Sequence, residues 1–273
     1  MTNISLLHEI PLGFTLLFHL VLLFAALEIG YRLGCRWRET SRQDSLDAAE
    51  KGGLAMTSLS AILGLLLAFT YGFVIAHHEA RKSATISEAN ALGSAFLRAG
   101  LVAGPGSTEL RQALLDYSRT RVVAGDVRGI DNLQMIVERS LEAQRQIWPA
   151  TERIIEASER GPFELALVAS VTDVLDAHTI RVSAAFDRLP RLVLQMLLFL
   201  AAVSLGVAGY NSGLADSFRR RQMSAFALVL AFLLTLIVDF DRPADGLVRV
   251  PQTVIVDTIA QMESEIGDSA ARD

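Results

Sequence analysis

From Leu54 to Ala76 no residue carries a charge. At 1.5 Å per residue such a run matches a hydrocarbon core about 30 Å thick. A backbone enters hydrocarbon only with its own N–H and C=O groups already paired, so the stretch is predicted to be a transmembrane helix. At His77 the polarity switches within one residue, yet the next proline is Pro105. Ile86, Ala89, Leu92, Gly93, Phe96 and Leu97 recur at helical spacing, so the same helix is predicted to leave the bilayer and continue to about Ala99.

Residues three and four apart share a side of a helix, and this span has two unlike sides. Ala61, Gly64, Ala68 and Gly72 form a small-residue stripe, the candidate surface for close helix packing. Ile62, Leu66, Phe69 and Phe73 form a bulky one, with Leu65 an equally good register. Either the small side packs on a neighbouring helix while the bulky side meets lipid, or the bulky side lines a dry constriction in an oligomeric pore. In the second case these four residues are pore-lining candidates, because apolar rings gate ions by dewetting.

Three further apolar stretches accompany it. The first, from Ile10 to about Leu27, is interrupted by His19 and bordered by Glu28, Tyr31, Arg32, Arg36, Trp37 and Arg38, an interfacial belt of aromatics and cations. Met1 to Phe14 holds no Lys or Arg, as a cleaved signal would, so this span is expected to be retained. Another runs from about Leu192 to Tyr210, and the last from about Met223 to Val238. That last span is two or three residues short, which puts its acidic end, Asp239 and Asp241 beside Arg242, at the interface or inside protein. An apolar content of 51% exceeds the roughly 45–50% of soluble domains and agrees with a membrane chain.

Residues 77–190 read as helices that bundle. Ser107 is expected to cap a helix from about Thr108 to Ala124. Asp131 with Gln134 resembles a capping box opening a helix from about Asn132 to Arg160, which Pro149 kinks or splits. Pro162 suits the first turn of another, running to about Leu189. The stripes Leu133, Ile136, Val137, Leu141 and Leu165, Val168, Val171, Val174, Leu175 are expected to meet in the bundle core. An amphipathic helix from about Gln252 to Ile266 follows the last span. The fold class is therefore all-α, a polytopic membrane protein with four transmembrane helices, arranged as 1–76, 77–190, 191–241 and 242–273 within one domain.

Chemistry-bearing motifs are scarce. There is no G-x-S-x-G, P-loop or H-E-x-x-H, so no catalytic residue is assigned and an enzyme is not expected. His77 and His78 point about 100° apart on a helix and do not share a metal; Asp173, Asp176 and His178 lack a histidine pair. No metal or cofactor is expected. Cys35 alone makes no intrachain disulfide. A net charge of −5 with no basic block beyond Arg219 to Arg221 gives nucleic acid little to bind. Arg36, Arg38, Arg42, Lys51 and Arg219 to Arg221 concentrate in the two short links, which leans towards cytoplasmic links and an extracytoplasmic bundle.

The segments LLLAFTYGFVIAHHEARK (Leu65 to Lys82), SEANALGSAFLRAG (Ser87 to Gly100), the Asp173 to His178 stretch and DFDRPADGLVRV (Asp239 to Val250) together resemble the bestrophin-like family of bacterial membrane proteins. The resemblance covers nearly the whole chain. It implies a relative of the bestrophins, pentameric anion channels with four spans, a cytoplasmic helical region and an apolar neck on the second span. The neck would fall on Ile62, Leu66 and Phe69, with Phe73 as an extension. Glu79 and Arg81 would belong to the charged motif where that span emerges, with Asp239, Asp241 and Arg242 the charged motif after the fourth. Histidines stand where bestrophins have aromatics, and Asp239 and Asp241 supply too few oxygens for calcium, which takes six to eight. The implied partners are the lipid bilayer, further copies of the chain and a small inorganic anion, in the bacterial cytoplasmic (inner) membrane. The other class of function is a non-conducting membrane-anchored receptor or assembly module whose helical region binds a partner.

Overall fold

Hydrocarbon offers a peptide group no partner, so each crossing stretch pairs its backbone internally. The computed structural model of the chain describes residues 11–40, 45–102, 104–122, 130–157, 161–215, 220–242 and 246–270. Its elements are helices: α1 (Leu12–Thr40), α2 (Ser45–Gly100), α3 (Pro105–Thr120), α4 (Ile130–Gln144), α5 (Ile147–Ala157), α6 (Pro162–Phe186), α7 (Arg191–Leu214), α8 (Arg220–Asp241) and α9 (Thr253–Ala270). Gly125 to Gly129, Arg42, Arg219, Pro243 and the side chain of Asp131 lie outside the described residues. The predicted helix through His77 is α2, unbroken from Ser45 to Gly100.

Among the described residues four stretches are long and apolar enough to cross a membrane: Leu12–Thr40, Gly52–Gly100, Pro162–Leu214 and Gln222–Asp241. Within the second the charge-free run is Leu54 to Ala76. Within the third it begins at Leu192, in α7, because α6 carries Asp173, Asp176, His178 and Arg181. Hydroxyls in α2 turn back onto their own helix, Thr57 to the Gly53 carbonyl at 3.0 Å and Ser58 to that of Leu54 at 3.1 Å, so they cost little in an apolar setting.

The chain divides into two units, Met1–Ala76 with Arg188–Arg242 and His77–Asp187 with Pro243–Asp273. In the first, Leu23, Leu27, Leu197, Ala201, Leu205, Leu230 and Leu234 form the core. Its closest backbone approach joins α1 to α7. A Cβ on Gly30 would lie 2.0 Å from the Gly206 carbonyl oxygen, on Gly34 2.2 Å from that of Tyr210, on Gly209 2.1 Å from that of Leu27, and on Gly213 2.5 Å from that of Tyr31. Glycine pairs four residues apart on both helices thus let the backbones touch where lipid supplies no hydrophobic drive. One buried polar pair inside this unit is explicit: the ring Nδ1 of His19 meets Thr235 Oγ1 at 2.9 Å, and that hydroxyl donates to the Ala231 carbonyl at 2.8 Å.

In the second unit Leu92, Phe96, Leu110, Leu114, Tyr117, Ile147, Ile154, Leu167, Val171, Val174, Ile255 and Met262 form the core. Several sequence expectations are corrected here. The helix after the Gly-Pro-Gly-Ser break starts at Pro105 rather than Thr108. Gly104 is its N-cap, at φ 115, a conformation that favours glycine, and proline fits the first helical position. Ser107 lies inside the helix and gives its hydroxyl to the Ala99 carbonyl at 2.6 Å. Leu141 and Leu165 are exposed; Val171 and Val174 are buried as expected, joined on the buried side of α6 by Leu167, Ser170, Ala177 and His178. The expected break near Pro149 falls between Gln144 and Ile147, where proline's ring would meet the carbonyl four residues back. Pro162 opens α6, its N-cap Gly161 N–H bonded by the Glu164 carboxylate at 3.0 Å. α6 ends at Phe186 rather than Leu189.

Candidate functional site

Bulky side chains on a helix need either protein or lipid against them, so what the chain leaves bare is informative. Phe69 is 69% exposed, and Ile62, Leu65, Leu66 and Phe73 are exposed with it. On the small side Ala61 and Ala68 are exposed, and Gly64 and Gly72 have no atom within 4 Å of where a Cβ would sit. Among the described residues nothing packs over Phe69 or fills the space at Gly64 and Gly72. Only 17% of the most apolar window of α2 is buried, against 44% for α8, so α2 is the span that most requires cover from outside its own chain. Leu63 and Val74 are its anchors in the core of the first unit.

The five charged-motif residues fall into separate places. Glu79 is exposed, 3.7 Å from Lys82 one turn on. Arg81 is buried and stoppers the C-terminal end of α6: its Nε donates to the Ala184 carbonyl at 3.2 Å and its Nη2 to that of Asp187 at 2.8 Å. A cation there is favoured by the helix dipole as well as by the unpaired carbonyls. His77 Nε2 lies 3.7 Å from the Asp187 carboxylate. In the other unit Asp239, Asp241 and Arg242 are all buried at the end of α8. Asp241 accepts the Leu189 backbone N–H at 2.8 Å and lies in a favourable electrostatic interaction with Arg188, while Arg242 Nη2 reaches Thr15 Oγ1 at 3.5 Å.

A buried ionic cluster that sequence reasoning does not find occupies the second unit. Glu88, on the apolar side of α2, has no exposed surface. Its Oε1 accepts from the Tyr117 hydroxyl and from Arg121 Nε at 2.9 Å, and its Oε2 from Arg181 Nη1 at 2.6 Å. Arg181 Nη2 also donates to the Arg121 carbonyl at 3.1 Å, and Arg121 Nη1 to Ser140 Oγ at 3.1 Å. The Tyr117 oxygen lies 3.0 Å from His178 Nδ1. One carboxylate thus ties α2, α3 and α6, and Arg121 extends the network to α4. Burial alone would raise the Glu88 carboxyl, but Arg121, Arg181 and the Tyr117 hydroxyl outweigh it and hold it below the usual range. Burial and the neighbouring carboxylate raise the Tyr117 phenol. Burial, assisted by Arg121 and Arg181 against Glu88, lowers His178 to about 4. Of the three residues flagged in this stretch of α6, His178 joins the cluster, while Asp173 and Asp176 face solvent. The signal in the sequence was Glu88 itself, which falls four residues before Leu92 on the stripe continued by Ala95, Phe96 and Ala99.

Among the described residues no group of three or more His, Cys, Asp or Glu side chains is placed to hold a metal ion. A family model described as the Bestrophin-like domain matches residues 21–255. No curated protein and no solved structure matches the chain.

Proposed function

The chain belongs to the bestrophin-like family, and from that premise we propose that it is an oligomeric channel for small inorganic anions in the bacterial cytoplasmic (inner) membrane, with an apolar constriction on α2. It is a multi-pass membrane protein whose apolar helices contact the bilayer. The observation that supports the channel reading is the exposure of α2 among the described residues, with Ile62, Leu66 and Phe69 exposed on one side and open space at Gly64 and Gly72 on another. Association of several copies through the small side, five by the implied likeness to bestrophins, gives the stripe its missing neighbour and turns the bulky side towards a common axis. A ring of leucine and phenylalanine side chains offers an ion no substitute for its hydration shell, so it conducts only when wetted.

Reconstituted into bilayers, the protein should pass chloride, and Phe69→Ala or Leu66→Ala should raise the single-channel conductance at least about twofold by widening the driest point. A bilayer that stays silent for the native chain and for both variants would overturn the channel reading. It would leave the spans as an anchor for a receptor or assembly module, to be sought through a partner captured by residues 100–180.

A further inference from the structure

The groups packed around His178 come from every helix of its cluster: Glu88 from α2, Tyr117 from α3, Arg121 just past the end of α3, and Arg181 from α6 itself, with the neutral Ser140 hydroxyl from α4 beyond Arg121. Proton positions follow from donor chemistry. Guanidinium N–H groups only donate, so Glu88 accepts from both arginines, and a carboxylate outcompetes a neutral imidazole for the Tyr117 proton. The Tyr117 oxygen then accepts the Nδ1–H of His178, which fixes the tautomer and leaves Nε2 as the basic nitrogen. A proton arriving at Nε2 sets an imidazolium beside two guanidiniums with a single carboxylate among them, all in a setting that screens charge poorly.

We propose that the cluster of Glu88, Tyr117, Arg121, His178 and Arg181 is an acid-operated latch on the helical bundle of the second unit, closed while His178 is neutral and released when it takes up a proton. Geometry identifies the titrating group: Glu88 is clamped by two cations and stays ionised in mild acid, so the imidazole is the member that changes state. The sign follows from linkage. His178 keeps its neutral form down to about pH 4 when closed and titrates near 6.5 when released, so the released form binds the extra proton. Closure is fully favoured above pH 6.5 and loses about tenfold for each pH unit from there towards 4. The inference rests on the second unit alone and stands or falls independently of conduction.

The test is hydrogen–deuterium exchange on the full-length protein in lipid nanodiscs at pH 7.5 and 5.0, corrected for intrinsic exchange chemistry. Segments Ala84–Leu92, Leu114–Arg121 and Val174–Arg181 should exchange about thirtyfold faster at pH 5.0 in the native chain. In His178→Asn, which keeps an N–H for Tyr117 and has nothing to titrate, the same segments should show no acid response, although His77, His78 and His19 remain. Unchanged native exchange between the two pH values, or an equal acid response in His178→Asn, overturns the latch. Histidine-selective nitrogen NMR of the native chain covers the case in which the variant does not fold. A neutral Nδ1–H tautomer that persists until exchange accelerates supports the latch, whereas an imidazolium present at pH 6 with exchange unchanged overturns it.

Discussion

Glu88 stands where the apolar stripe of α2 asks for an aliphatic side chain, and three hydrogen-bonded partners make the exception tolerable. Replacing Glu88 with Gln keeps the shape and removes the anion that faces both Arg121 and Arg181. Stranding the buried Arg121 guanidinium and the largely buried one of Arg181 should cost about 3–5 kcal/mol, read as a large fall in the thermal midpoint of the purified full-length protein at pH 7.5. A midpoint within about a degree of the native value would falsify this account of the cluster. The arrangement was only half legible beforehand. Glu88 on a core stripe announces a buried charge, but Tyr117, Arg121 and Arg181 are 29, 33 and 93 residues away along the chain, and each alone looks like any surface arginine or core tyrosine. Ser107 shows the opposite failing: a serine before a helical run reads as a cap, and here a glycine free to take positive φ took the role three residues earlier.

Spans and helix continuity are local properties of hydropathy and proline placement, which is why α1, α2, α7 and α8 and the passage through His77 were readable from composition along the chain. Which small-residue stripe meets which helix is not local. The same four-residue spacing recurs in α1, α2 and α7, and the structure joins α1 to α7 while leaving that of α2 bare. This contact sets a strict expectation. Gly209→Ala puts a methyl 2.1 Å from the Leu27 carbonyl oxygen, where backbone rather than a flexible side chain must give way. It should destabilise the first unit by about 1–3 kcal/mol or more. Gly53→Ala, with nothing within 4 Å, should be silent. Monodisperse yield and thermal midpoint of the two variants side by side are the measurement; equal behaviour contradicts the packing described.

For the molecule as a whole, the uncovered side of α2 makes subunit number the decisive quantity. Gly64→Leu fills the space into which a neighbouring backbone would have to come, so it should shift native mass from the proposed oligomer towards smaller species. An unchanged subunit count would show that this stripe does not carry assembly. Subunit number was not readable from one sequence, because a surface awaiting lipid and one awaiting a copy of itself have the same composition. The glycine seam between α1 and α7 also carries a cost in time. Gly30 and Gly206 are separated by 176 residues, and a ribosome adding roughly 5–20 residues per second makes the first about 10–35 s before the second. Throughout that interval the newborn first helix waits in the bilayer with an open groove, a period in which acyl chains, insertion machinery or a quality-control protease compete for the place its late partner will take.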